Sequence, residues 1–148
     1  MKSEPEEFSF ERLKKEGSTW WDGVRNYQAR NFMTKDMKPG DLVLFYHSNA
    51  EPPGVAGIAK IKSKARPDAL QFDAKSDYFD PKSKKDNPTW HSVEVSYLED
   101  LKSFVALEDL KKNPNLKDML VIQRGQRLSI QPVTPQEFNE VLKMGKAK

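Results

Sequence analysis

The run Trp20-Trp21-Asp22-Gly23-Val24-Arg25-Asn26-Tyr27-Gln28-Ala29-Arg30-Asn31 packs three aromatics, two arginines, two asparagines and a glutamine into twelve residues. Aromatic rings offer faces on which bases stack, while Arg, Asn and Gln supply the donors and acceptors that read a base edge. The plainer alternative is that one tryptophan is core and the polar groups tie down a loop–helix junction. A second pattern is Lys60-Ile-Lys-Ser-Lys-Ala-Arg66. In an extended chain, Lys60, Lys62, Lys64 and Arg66 share one face and form a ladder of four cations. Such a ladder attracts a polyanion, or else is simply a solvated basic face.

Catalytic patterns are weaker. His47 and Ser48 are neighbours on an expected strand, so their side chains point to opposite faces and form no dyad with each other. Only His91 remains as another histidine base. Gly54-Val-Ala-Gly57 lacks the spacing of either nucleotide-binding glycine fingerprint. Asp77 and Asp80 sit in a lysine-rich stretch, where exposed ion pairs are the ordinary explanation. No catalytic constellation emerges, and binding is the expected role.

Composition narrows the classes further. The chain has 148 residues, a net charge of +3 and a pI near 9.0, with the basic excess concentrated in residues 60–86 and 119–148. One domain, spanning 1–148, is expected at this length. No apolar run approaches the roughly 18 residues that a membrane span requires. The acidic start, Met-Lys-Ser-Glu-Pro-Glu-Glu-Phe, lacks the apolar stretch of a secretory signal. Zero cysteines exclude disulfides and thiolate metal sites, and two histidines are few for a metal centre. The expectation is a cytoplasmic monomer with no cofactor, no metal and no membrane partner.

The elements that must position these residues follow from local signals. Ser9, with Phe8 before it and Leu13 at staple distance, opens a helix that ends near Gly17. Residues 25–37 carry a second helical signal. Lys38-Pro39-Gly40-Asp41 reads as a type II turn into the all-apolar strand Leu42–Tyr46, expected to be buried on both faces. Strands follow over 55–66, 91–98 and 127–133, with a helix at Leu107–Lys112 ended by Asn113-Pro114. Thr134-Pro135-Gln136-Glu137 is a capping box opening the last helix. The segment between Pro67 and Pro88 is long for a compact domain, which marks it as functional. This mixture predicts an α+β fold, a small, partly closed β-barrel decorated with short helices. Leu42, Leu44, Val93, Val95, Leu128 and Ile130 are expected to share one barrel core.

Several of these motifs, in this order, resemble the successive signatures of the EVE-domain family. They are Lys2-Ser3-Glu4-Pro5, Trp21 to Asn31, Phe45-Tyr46-His47-Ser48, Gly54 to Gly57, Phe72-Asp73 with Tyr78 to Ser83, and Arg127 to Val133. The resemblance covers essentially the whole chain and implies a PUA-like barrel related to the PUA, ASCH and YTH folds. It also implies a non-enzymatic module that recognises an extruded, modified base in RNA or DNA. Family members carry a short aromatic-apolar lead before Lys-Ser-Glu-Pro, and its absence here implies a shortened first strand. By the same resemblance the base-binding candidates are Trp21, Arg25, Asn26, Asn31, Tyr46, His47, Ser48, Tyr78, Arg127, Ser129 and Gln131. Trp21 or Tyr78 would be the stacking wall, and Lys60, Lys62, Lys64 and Arg66 would approach phosphates. The rival classes are an enzyme of the same fold acting on a nucleotide or modified nucleoside, and a module whose pocket holds a peptide or metabolite.

Overall fold

The computed structural model describes residues 1–146. Its centre is a five-stranded sheet in the order β1-β3-β4-β5-β2, formed by β1 (Lys2–Ser3), β2 (Ser18–Trp20), β3 (Leu42–His47), β4 (Gly54–Pro67) and β5 (His91–Ala106). β1 runs parallel to β3, and the other pairings are antiparallel. β1 and β2 form opposite edges of this order, so the sheet does not close into a barrel. The mixed α+β class holds, without the closure expected of it.

β3 explains why two hydrophobic clusters form where one was expected. Its side chains alternate: Val43 and Phe45 join one cluster, while Leu44 and Tyr46 join the other. The first cluster adds Phe10, Leu13, Met33, Val93, Val95 and Ile130, and the second adds Val55, Ile58, Leu110, Leu116 and Val141. The six residues expected to share one core therefore separate. Leu44 lies across the sheet from Val93 and Val95, Leu128 is only partly buried against the first cluster, and Leu42 is 54% exposed at the start of β3.

Local chemistry sets the helices. α1 (Phe10–Glu16) starts at Ser9, whose hydroxyl accepts from the Arg12 amide, and stops at Gly17, φ +83°, whose amide reaches the Leu13 carbonyl. Seven residues are too few to hold a helix alone. Burying Phe10 and Leu13, each worth about 1.5–3 kcal/mol, outweighs the cap at about 1 kcal/mol. α2 (Tyr27–Asn31) is capped by Asn26 and continues as a π turn over Phe32–Asp36. Gly40, φ +96°, and the 3.0 Å bond from the Asp41 amide to the Lys38 carbonyl form the expected turn into β3. α3 (Leu107–Lys112) follows β5, and α4 (Pro135–Lys146) opens with the reciprocal Thr134–Glu137 capping box at 3.0 and 3.1 Å.

Two elements depart from expectation. β5 runs eight residues past its alternating segment, to Ala106, because register shifts along β4 keep the pair bonded through the polar stretch Leu98–Lys102. Residues 127–133 alternate but form no strand. They join the β1 edge through a bond from the Lys2 amide to the Ser129 carbonyl, 2.8 Å, and Ile130 plugs the first cluster.

Gly57 shows how tightly α1 seats on the sheet. A Cβ at this position would lie 2.1 Å from Phe10 Cζ. Gly57→Ala should therefore lower stability by about 1–3 kcal/mol through overpacking, read as a lower urea midpoint. Pairing it with Phe10→Leu should recover part of that loss, and strictly additive losses would count against this close approach as the cause.

Candidate nucleic-acid interface

A cleft of ≈ 850 Å³ opens beside the β1–β3 edge. Its walls are the 19–26 segment, Lys2 to Glu4, Ser48 with Asn49, and Gln126, Arg127 and Ser129. The size falls in the range of about 300–1,000 Å³ typical of small-ligand sites. Trp20 and Trp21 both line it. Trp21 packs edge-on against Phe45, ring centroids 5.6 Å apart at 83°, and so stands half in the core and half in the cleft. Trp20 lies under the Arg66 guanidinium, 3.5 Å from its ring centroid.

The floor of this wall is held from behind. Asp68 is fully buried, and its carboxylate accepts from the Gly23 amide (2.8 Å), the Arg25 guanidinium (3.0 Å) and the Leu70 amide (2.8 Å). Arg25 also donates to the Val24 and Tyr78 carbonyls and lies over the Tyr78 and Trp90 rings. Behind Asp68, buried Gln71 has every side-chain position used. Its amide donates to the Asp68 and Trp90 carbonyls, and its oxygen accepts from Ser83 and the Trp90 amide. Asp80 accepts from the Trp90 indole at 2.8 Å, a bond that helps hold its carboxyl below the usual range. The long 67–88 segment is thus a polar brace for the cleft wall.

Of the sequence candidates, the structure brings Trp21, Arg25, Asn26, Ser48, Arg127 and Ser129 to the cleft. Asn26 uses its side-chain oxygen to cap α2 at the Ala29 amide, which leaves its NH₂ group for a ligand. The others fall elsewhere, for identifiable reasons. Tyr46 alternates onto the far face of the sheet and is buried in the second cluster. His47 accepts the Phe10 amide on Nε2 at 3.1 Å, between Phe45 and Phe104, and burial lowers its pKa. That bond requires the neutral ring, so His47 secures the start of α1. Asn31 accepts two bonds from Arg30, and Gln131 donates to the Leu128 carbonyl beside a separate apolar depression. Tyr78, 43% exposed, lies outside the wall, with its ring 3.0 Å from where a Gly23 Cβ would stand.

Lys60, Lys62, Lys64 and Arg66 are all exposed along β4, although register shifts between Ile61 and Arg66 interrupt strict alternation. Lys62 sits 3.7 Å from Glu94, a weak surface pair, and Arg66 joins the cleft margin through Trp20. Three residues of the site escape the sequence patterns. Lys2 and Asp22 line the cleft from inside the family motifs, and partial burial lowers the Lys2 pKa. Asp68 carries no local signal, because its partners Arg25 and Gly23 lie 43 and 45 residues away.

The EVE-domain family model matches residues 1–144. The chain belongs to the EVE-domain family. Among relatives of this EVE chain, human thymocyte nuclear protein 1 is 45% identical over 163 residues, covering 97% of this chain and 72% of the relative. A crystal structure of human THYN1 protein in complex with 5-methylcytosine-containing DNA superposes with a TM-score of 0.91 at 45% identity, covering 98% of this chain and 95% of that one. A Pseudomonas syringae protein superposes with a TM-score of 0.92 at 41% identity, covering 98% and 97% of the two chains. The name thymocyte nuclear protein 1 overturns the expectation of a cytoplasmic protein. That expectation rested on missing secretory and disulfide signals, and neither feature separates cytoplasm from nucleus.

The Asp68 clasp can be tested in this EVE domain directly. Asp68→Ala leaves the Arg25 guanidinium and the Gly23 amide without their shared acceptor. Because Arg25 keeps some solvent access, the loss should fall near the lower end of the range for broken buried pairs, about 3 kcal/mol. Hydrogen exchange at the Gly23 amide should rise by more than global unfolding accounts for. An unchanged melting temperature would show that the clasp does not hold the wall.

Proposed function

We propose that this protein is a non-enzymatic reader of nucleic acid that takes an extruded, modified base, of the 5-methylcytosine type in DNA, into the cleft beside Trp21. The observation that carries this reading is the two-tryptophan cleft in a chain that closely matches human THYN1 protein, whose structure holds 5-methylcytosine-containing DNA. Trp21 offers a ring supported from behind by Phe45, so a base stacking on it meets a wall already fixed in place. Asn26, Ser48 and Ser129 supply hydrogen-bonding groups around the edge, and Arg127 and Lys2 bring positive charge to the rim. Lys60, Lys62 and Lys64 would meet phosphates outside the cleft. Binding rather than catalysis fits His47, whose ring nitrogen is engaged by the backbone.

One set of titrations tests this. Trp21→Ala should weaken binding of a duplex containing 5-methylcytosine by about 1–3 kcal/mol while the protein stays folded. Lys60, Lys62 and Lys64 changed together to Gln should weaken all DNA about equally and reduce the salt slope by ~0.9 log units for each phosphate no longer neutralised. A folded Trp21→Ala that binds as tightly as the parent defeats the base-stacking reading. An unchanged salt slope in the triple variant makes the lysines a solvated face only.

A further inference from the structure

We infer that Asp22 is a specificity-determining residue of the cleft, accepting a hydrogen bond from the exocyclic amine of the bound base and so selecting an amino base over a keto base. The inference rests on the reading of the cleft as a base site. Asp22 lines the cleft directly between the Trp20–Trp21 wall and Gly23. Its near neighbours in the chain, Gly23 and Arg25, are already engaged. Gly23 gives its amide to Asp68, and Arg25 is taken up by Asp68 and by the Val24 and Tyr78 carbonyls. Of the two acidic residues across the cleft, Glu4 and Glu7, Glu4 accepts from Asn49 at 2.6 Å. Asp22 has no ion pair within 4.0 Å among the described residues.

A carboxylate is an acceptor only. The charged groups facing Asp22 are Asp68 behind it and Arg25 and Arg66 farther off. Partial desolvation, followed by repulsion from Asp68, pushes its pKa up. The Ser92 hydroxyl, which has no other partner among the described residues, and the two arginines favour the charged form without offsetting this. An exocyclic N–H from the cleft side would add a further donor. A keto oxygen at the same place would set lone pair against lone pair and leave the carboxylate desolvated and unpaired, the arrangement that rejects a ligand most strongly. Carboxylates read the cytosine amine by the same logic in the major groove.

Thymine and 5-methylcytosine share the ring methyl and differ at this edge by amine against carbonyl, so they isolate the proposed hydrogen bond. The experiment measures affinity for two duplexes differing only in that base, each opposite guanine, with the parent protein and Asp22→Asn. The cost of extruding each base belongs to the DNA and cancels when the two proteins are compared on the same pair. The general gain from removing a negative charge near DNA cancels in the same ratio. The parent should prefer 5-methylcytosine by roughly tenfold to hundredfold. Asp22→Asn, whose amide can donate to a keto oxygen, should erase or invert that preference while melting at the parent's temperature. A variant that shifts both affinities equally, or neither, overturns the assignment of Asp22 and leaves the base site standing. A parent protein indifferent to the base likewise overturns Asp22, whereas a folded Trp21→Ala that binds both duplexes as tightly as the parent overturns the base site itself.

Discussion

The buried carboxylate of Asp68 is the constraint on which the site depends. It binds the Gly23 amide and the Arg25 guanidinium, while the Asp68 backbone is tied to Gln71 and to Trp90, the residue just before β5. Without it, residues 21–26 would be a short connection between an edge strand and a five-residue helix, free to sample many conformations. A buried ion pair contributes little net stability compared with a well-packed apolar substitute, because desolvation offsets the attraction. What it supplies here is geometry: one direction for Gly23, one rotamer for Arg25, and therefore one position for the tryptophan wall.

The sheet serves the same end by different physics. β3 is apolar on both faces and separates two hydrophobic clusters, so the cleft edge is pinned between α1 and its neighbours on one side and α3 with α4 on the other. His47, at the end of β3, joins the arrangement by accepting the Phe10 amide, which ties α1 to the strand beside which the cleft opens. Trp21 uses the edge of the first cluster as its backing. A stacking surface that is half core costs little further ordering when a ligand arrives.

Charge is arranged at two ranges. Lys60, Lys62 and Lys64 stand on an exposed face, where attraction to phosphates is long-ranged, salt-sensitive and indifferent to sequence. Inside the cleft, under the proposed reading, Lys2, Asp22 and Arg127 would act at hydrogen-bond distances, where a mismatched donor or acceptor is costly. Arg66 lies between the two, stacked on Trp20 at the margin. On the proposed function, affinity and selectivity would thus draw on different residues.

Much of this was legible in the chain itself, wherever a few neighbouring residues decide the outcome. The Ser9 cap and Gly17 stop, the turn at Gly40 and the Thr134–Glu137 box are local matters, governed by backbone dihedrals and capping bonds. The ordered motifs from Lys2 to Val133 identified the family. Tertiary structure decided the rest, because it turns on partners far apart in sequence. The all-apolar run told that both faces of β3 would be buried, but not which strands and helices would cover each, so one core became two. The motif containing Tyr46, His47 and Ser48 named three neighbours, yet strand pleating and the bond to Phe10 left only Ser48 in the cleft. Residues 127–133 had a strand's pattern without ladder partners along their length, and a period-two pattern cannot form a strand alone. Asp68 was an ordinary acid in a polar loop until the fold closed Gly23 and Arg25 around it.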